Sequence, residues 1–346
     1  MNKFLKVLAS LALPALIAGC AQEKTSSTGE QAQEYLDLYM ATAYPGVQPD
    51  KWGIYIIEET PGTGIEWSAD YPYSYLSGTL RSLDGTITSS TEAAIAQQLD
   101  ETSYKTYNYY GPKYQNTSEG TGAAGLEYLL EGMRMGGTRK AVIPSWLLTT
   151  SRYESKDKYI EACSSSTHMI YEITLEGQCK DIAQHEIDEL RAYVTAHYGE
   201  SQKSFEFLSG QAEGTFYFVS DTTGFKEEDK RADDATLYLT YTGRRLDGQA
   251  FDTNDQAVAL KDGLFVPETE YTRSTIKFSA TYTSITMDGT SSLIDGFRKG
   301  LHKMHWVGQK ATVLFVSDLG YSSTGSGERI PPYSPLIFEL ELFEKQ

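Results

Sequence analysis

The feature that most restricts the fold of this chain is an internal duplication with a period of about 165 residues. Glu34 to Tyr44 (EYLDLYMATAY) has the spacing of an amphipathic helix and is halted by Pro45 and Gly46. Asp181 to Tyr198 repeats that element, with Ile182, Ile187, Leu190, Tyr193, Val194 and Tyr198 three and four apart and Gly199 closing it. Each helix is followed by an extended run, a Tyr-rich strand leading to a Gly, and an Asp-Gly turn. These are Tyr75 to Gly78 then Asp84-Gly85, and Tyr241 to Gly243 then Asp247-Gly248. Later come a short helix in each copy, Gly125 to Met133 and Leu293 to Met304, a strand, and a last alternating strand. The pattern predicts an α+β chain of two similar units, 49–178 and 205–346. A tether and helix at 21–48 precede the first unit, and a linker helix at 179–204 precedes the second. The two helices pair between chains or pack on their own units; packing is the simpler expectation.

At 346 residues and 40% apolar content, the chain has material for two cores. The 47 acidic and 30 basic residues give a net charge of −17 without a Lys/Arg cluster, so nucleic acid is not an expected partner. Lys3 and Lys6 precede an apolar run from Val7 to Ile17 that is short for a bilayer span, which marks residues 1–20 as a targeting segment. The run ends Ile17-Ala18-Gly19-Cys20, similar to a bacterial lipobox. That likeness implies a diacylglycerol on Cys20, and hence a lipid-anchored protein of the bacterial envelope, at the outer membrane and facing the periplasm or the cell surface. Cys163 and Cys179 flank a strand-like stretch whose nine residues span nearly 30 Å at about 3.3 Å each, so two separate thiols are expected.

From Thr236 to Leu342 the chain resembles the FKBP family of peptidyl-prolyl cis-trans isomerases. The resemblance is carried by YTGRRLDGQAFD (Tyr241 to Asp252), LIDGFRKGLHKM, VGQKATVLFVSDLGY and IPPYSPLIFELEL, in that order. It implies two FKBP-like domains, each a curved antiparallel sheet wrapped around a short helix. Carried over by position, it implies a proline pocket in the second unit. Tyr241, Phe251, Asp252, Ile294, Phe297 and Tyr321 would act on the amide, with Leu293, Ile330 and Phe338 completing the wall. In this likeness Phe297 is the aromatic floor, the Tyr321 hydroxyl and the Ile294 N–H hold substrate carbonyls, and Asp252 orders Tyr241. Proline-containing polypeptides are the implied clients, and neither cofactor nor metal is called for. On the helix, Leu293, Phe297, Leu301 and Met304 share one face, Arg298 and Lys299 are expected to face outward, and Ser291 and Ser292 are N-cap candidates.

Two departures stand out. Thr253 to Ser292 is longer than the corresponding family segment, with strand-like alternation at Val258 to Leu260 and at Tyr271 to Ile285. In the first copy Ile87-Thr88 replaces the Phe-Asp pair, Leu126 the floor and Thr149 the loop Tyr, which implies a degenerate domain used for client binding or spacing. A non-catalytic binding protein or holdase chaperone is therefore the alternative function. Other signals are weaker. Gly120 to Gly125 spells GxGxxG but follows a polar loop rather than a buried strand. His302 and His305 have no third ligand nearby, and His185 to Glu189 lacks the second His of a zinc-protease motif.

Overall fold

The computed structural model describes residues 27–99, 109–118, 120–163, 167–199 and 212–345. The segment expected to act in targeting, 1–20, and with it Cys20, lies outside the described residues. The first helix, α1 (Thr28–Ala43), starts earlier than its apolar spacing indicates, because Ser27 and Glu30 form a reciprocal capping box. The first unit then runs β1 (Tyr55–Thr60), β2 (Tyr73–Ser82), β3 (Ile87–Ser90), α2 (Ala93–Leu99), β4 (Lys113–Asn116), α3 (Ala124–Leu130), β5 (Thr138–Ile143), α4 (Lys156–Ala162) and β6 (Met169–Cys179). The second consists of α5 (Ile182–Tyr198), β7 (Phe216–Val219), β8 (Thr236–Arg245), β9 (Ala250–Thr253), α6 (Gln256–Lys261), β10 (Ser274–Lys277), β11 (Thr286–Met287), α7 (Asp295–His302), β12 (Lys310–Phe315) and β13 (Leu336–Phe343). No disulfide joins Cys163 to Cys179.

The duplication is visible in the strand order. One sheet runs β1-β5-β6-β2-β3 and the other β7-β12-β13-β8-β9, with every pairing antiparallel. Each sheet has a core under its helix, Leu76, Leu129, Leu130, Ile143 and Leu175 in the first, Leu239, Phe297, Leu301, Phe315 and Leu342 in the second. On the opposite face lies the preceding helix. In α1, Leu36 and Met40 cover Val142 and Ile170; in α5, Leu190 and Val194 cover Leu314 and Ile337. Both helices therefore pack on their own units through apolar residues one turn apart.

The register aligns the repeats residue by residue. Leu80 pairs with Tyr171 and Ser89 as Gly243 pairs with Phe338 and Asp252. Gly125 abuts Ile143 as Gly296 abuts the Phe315 ring, and Ala123 and Ile294 occupy the two N-cap positions. The counterparts of Phe251-Asp252 are therefore Thr88-Ser89, one residue beyond the Ile87-Thr88 expected from sequence. Each hairpin carries a bulge at the same place beside its Asp-Gly turn, so a count without gaps from Asp84 and Asp247 gives the same match and makes Ile87 the counterpart of Ala250.

The long segment after Asp252 builds structure of its own. Val258 to Leu260 is helical rather than extended, because Asp255 caps α6 through the Ala257 and Val258 N–H groups and good helix formers follow. Within 271–285 a true strand forms: β10 pairs with the first half of β8, and β11 closes on β10. The chain then passes over the outer side of α7. His302 Nε2–H donates to the Ala280 carbonyl at 3.1 Å, Arg298 donates to the Thr283 carbonyl at 3.1 Å, and the Lys299 ammonium lies 5.5 Å from the Tyr282 ring. Lys299 is consequently buried instead of facing solvent.

Candidate active site

The site is assembled on β8, β9, α7 and the loop between β12 and β13. Tyr241 is fixed through its backbone: its N–H donates to Asn254 Oδ1 at 2.8 Å and its carbonyl accepts from the Thr253 hydroxyl at 2.9 Å. Gly243, next inward on the same face, is required by packing. A Cβ there would sit 2.5 Å from the Phe251 ring and 3.0 Å from the Phe338 ring. The helix α7 reaches the sheet through Gly296 and Gly300, whose added Cβ atoms would enter Phe315 and Val313 of β12. Its N-cap is Ile294, which has extended backbone and no side-chain bond, so neither Ser291 nor Ser292 caps it.

These elements bring eight of the nine predicted residues into one apolar cluster, and the ninth, Asp252, is joined to it through Tyr241. Phe251, Phe297, Ile330 and Phe338 are at most 5% exposed and form its floor; Tyr241, Leu293, Ile294 and Tyr321 are half-buried around them. The rings meet edge to face: Tyr241 to Phe297 at 5.8 Å, Phe297 to Phe338 at 4.9 Å, Phe251 to Phe338 at 5.6 Å. Phe297 thus serves core and site together, while Leu301 and Met304, below it, belong to the core alone.

The polar groups stand at the rim. Tyr241 donates its hydroxyl hydrogen to Asp252 Oδ2 at 2.9 Å, as expected. Asp252 is open to solvent on one side and crowded by apolar rings on the other. That crowding pushes its pKa up, opposed by the Tyr241 hydroxyl, the Thr253 N–H and the Arg329 charge. Burial, together with the Asp252 charge, raises the pKa of both tyrosines, so each stays a neutral donor at neutral pH. Among the described residues, neither the Tyr321 hydroxyl nor the Ile294 N–H has a hydrogen-bond partner. Two donors are therefore free beside an apolar floor, the arrangement needed to hold carbonyl oxygens of a bound chain.

Two contributors escaped the sequence reading. Arg329 donates to the Phe251 carbonyl at 3.1 Å and brings positive charge near Asp252. Glu186 of α5, only 3% exposed, accepts from the Ser317 N–H at 2.6 Å and the Ser317 hydroxyl at 2.7 Å, fixing the start of the loop that carries Tyr321. The first repeat holds the equivalent loop at the same helical turn by other means. There the Ser145 N–H donates to His168 Nδ1, and His168 Nε2–H donates to the Ala32 carbonyl of α1. Ala32 precedes Leu36 by four residues, as Glu186 precedes Leu190. A carboxylate on an otherwise apolar helix stripe was the one signal available in the sequence.

No group of three or more metal-ligating side chains occurs among the described residues. His302 is engaged with Ala280, and His185 Nε2 lies 2.8 Å from the Tyr114 hydroxyl and 3.2 Å from Glu189.

Residues 227–343 match the family model described as FKBP-type peptidyl-prolyl cis-trans isomerase. FK506-binding protein 1A of Aspergillus fumigatus is 32% identical over 113 residues, 33% of this chain and 78% of that protein. FK506-binding protein 2 of Kluyveromyces lactis is 43% identical over 58 residues, 17% of this chain and 41% of that protein. Among solved structures, FkpA from Escherichia coli is 20% identical, with 48% of this chain and 61% of that one covered, at a TM-score of 0.31. By its sequence match over most of the Aspergillus protein, the chain belongs to the FKBP-type peptidyl-prolyl cis-trans isomerase family.

Proposed function

We propose that the second repeat catalyses cis-trans isomerisation of X-Pro bonds in polypeptide clients by non-covalent stabilisation of the twisted amide. The observation that carries this reading is the pairing of an apolar ring floor with two unpartnered donors, Tyr321 Oη–H and Ile294 N–H, beside the Tyr241–Asp252 pair. An X-Pro bond turns over in tens to hundreds of seconds because twisting abolishes amide resonance against a barrier of about 20 kcal/mol. On twisting, the carbonyl loses negative charge. An apolar floor therefore disfavours the polar planar amide more than the twisted one, while the donors hold neighbouring carbonyls in place. A thousandfold acceleration asks for about 4 kcal/mol of such differential binding. No proton needs to be transferred.

The clients we infer are proteins of a bacterial envelope, with the chain held there by a lipid on Cys20; Ile17-Ala18-Gly19-Cys20 supports this. Mass analysis of the membrane-extracted protein tests it, and an N-terminus without a diacylglyceryl Cys20 refutes it. Activity is tested by a protease-free assay on a proline tetrapeptide with wild type, Phe251→Ala and Tyr321→Phe. The expected result is a fall in kcat/KM of about tenfold or more for each variant. Equal rates for all three overturn the site assignment.

A further inference from the structure

The first repeat does not simply lack the pocket of the second. Its counterparts of Tyr241, Phe251, Asp252 and Phe297 are Gly78, Thr88, Ser89 and Leu126, and their smaller side chains leave a cavity of 740 Å³ in the corresponding place. The opening is enforced at Gly78, where a Cβ would meet the Glu172 carbonyl and lie 2.8 Å from Ile173. The floor is apolar, with Leu126 and Tyr171, and the walls are neutral hydrogen-bonding groups such as Thr88, Ser89, Gln115 and Asn116. Among the described residues, the charged groups at the cavity are paired: Glu127 with Arg152 at 2.8 Å, and Lys113 with Glu328 at 3.9 Å. A neutral ligand with both apolar and hydrogen-bonding groups fits this lining.

Glu328 gives the cavity its context, because it belongs to the second repeat. Its carbonyl accepts the Tyr109 N–H at 2.7 Å, the next carbonyl, of Arg329, accepts from Arg245 at 2.7 Å, and the next residue, Ile330, is part of the proline-site floor. A strut of three residues thus separates this cavity from the ring cluster of the second repeat. Two residue steps span at most about 7 Å.

We infer that the first-repeat cavity is an extended subsite for the same polypeptide whose proline occupies the second repeat, taking an uncharged stretch of chain that crosses the 328–330 strut. This rests on the isomerase reading of the second repeat for its kinetic consequence but not for its binding consequence. Short substrates fill one concavity, and longer ones fill both, gaining affinity through effective concentration.

The test uses the full chain with Thr88→Trp and, separately, Ser89→Arg, both at exposed positions that tolerate substitution. Substrates are a proline tetrapeptide and an uncharged polypeptide of about 20 residues, rich in Ser, Asn and Leu, with one central proline. Both variants are expected to raise KM for the long polypeptide about tenfold and weaken its binding by fluorescence anisotropy equally. Tetrapeptide kinetics remain those of wild type, which also verifies that the second repeat is folded. Unchanged binding of the long polypeptide in both variants overturns the proposal, as does displacement from wild type by a neutral oligosaccharide but not by a proline-free uncharged peptide. If wild type accelerates neither substrate, the isomerase reading fails; anisotropy still decides the subsite, by loss or retention of binding in the two variants.

Discussion

Replacing Glu186 by Gln probes the anchor beneath the Tyr321 loop. The carboxyl is 3% exposed, and burial pushes its pKa from 4.5 to about 7 despite two Ser317 donors that favour the ionised form; Asp318 and Glu189 push it further up. At 1.36 kcal/mol per pKa unit this corresponds to about 3 kcal/mol between the protonated and ionised states in the fold. The folded pKa lies above the unfolded one, so the folded state holds the proton more tightly. The stabilising contribution is complete below about pH 4.5 and is lost as pH rises through about 7. Gln preserves shape, an acceptor for the Ser317 N–H and a donor for its hydroxyl, but never ionises. Urea unfolding of both proteins from pH 5 to 8 should therefore show Glu186→Gln gaining on wild type as pH rises, by up to ~3 kcal/mol. Other groups titrate alike in both and cancel in the difference. A difference that is flat with pH, or that turns against Gln at pH 8, refutes the assignment of a buried carboxyl with a raised pKa.

Two further outcomes follow from packing and electrostatics. Gly296→Ala should destabilise the second repeat by about 1–3 kcal/mol in thermal unfolding, because the added methyl enters the Phe315 ring; an unchanged transition refutes the close approach. Tyr241→Phe removes a hydrogen bond that lowers the Asp252 pKa, so an NMR titration of that carboxyl should move to higher pH, and a move to lower pH contradicts the geometry.

The two-unit α+β organisation was legible because helices, Asp-Gly turns and alternating strands recur at one spacing, and the gathering of Tyr241, Phe251, Phe297 and Tyr321 in one place because they stand in ordered motifs. What escaped detection was set by contacts distant in sequence. Lys299 reads as a solvent-facing helix residue until Tyr282, seventeen positions earlier, is folded over it. Val258 to Leu260 alternates like a strand, and only the Asp255 cap and the neighbouring formers turn it helical. Ile87 matches Phe251 only in apolar character; a count without gaps from the Asp-Gly turn pairs it with Ala250, so this register was legible in the sequence. Small residues in the first pocket read as loss; the 740 Å³ they leave open emerges only once the strands are paired.

The side of the sheet on which α5 lies has a practical bearing on dissection. Leu190 and Val194 rest on Tyr217, Leu314 and Ile337, so the helix is a lid for the second sheet and not a neutral spacer. A fragment cut after residue 204 would bare that greasy surface and release Ser317 from its tether. One cut just ahead of the Asp181 cap would carry both with it.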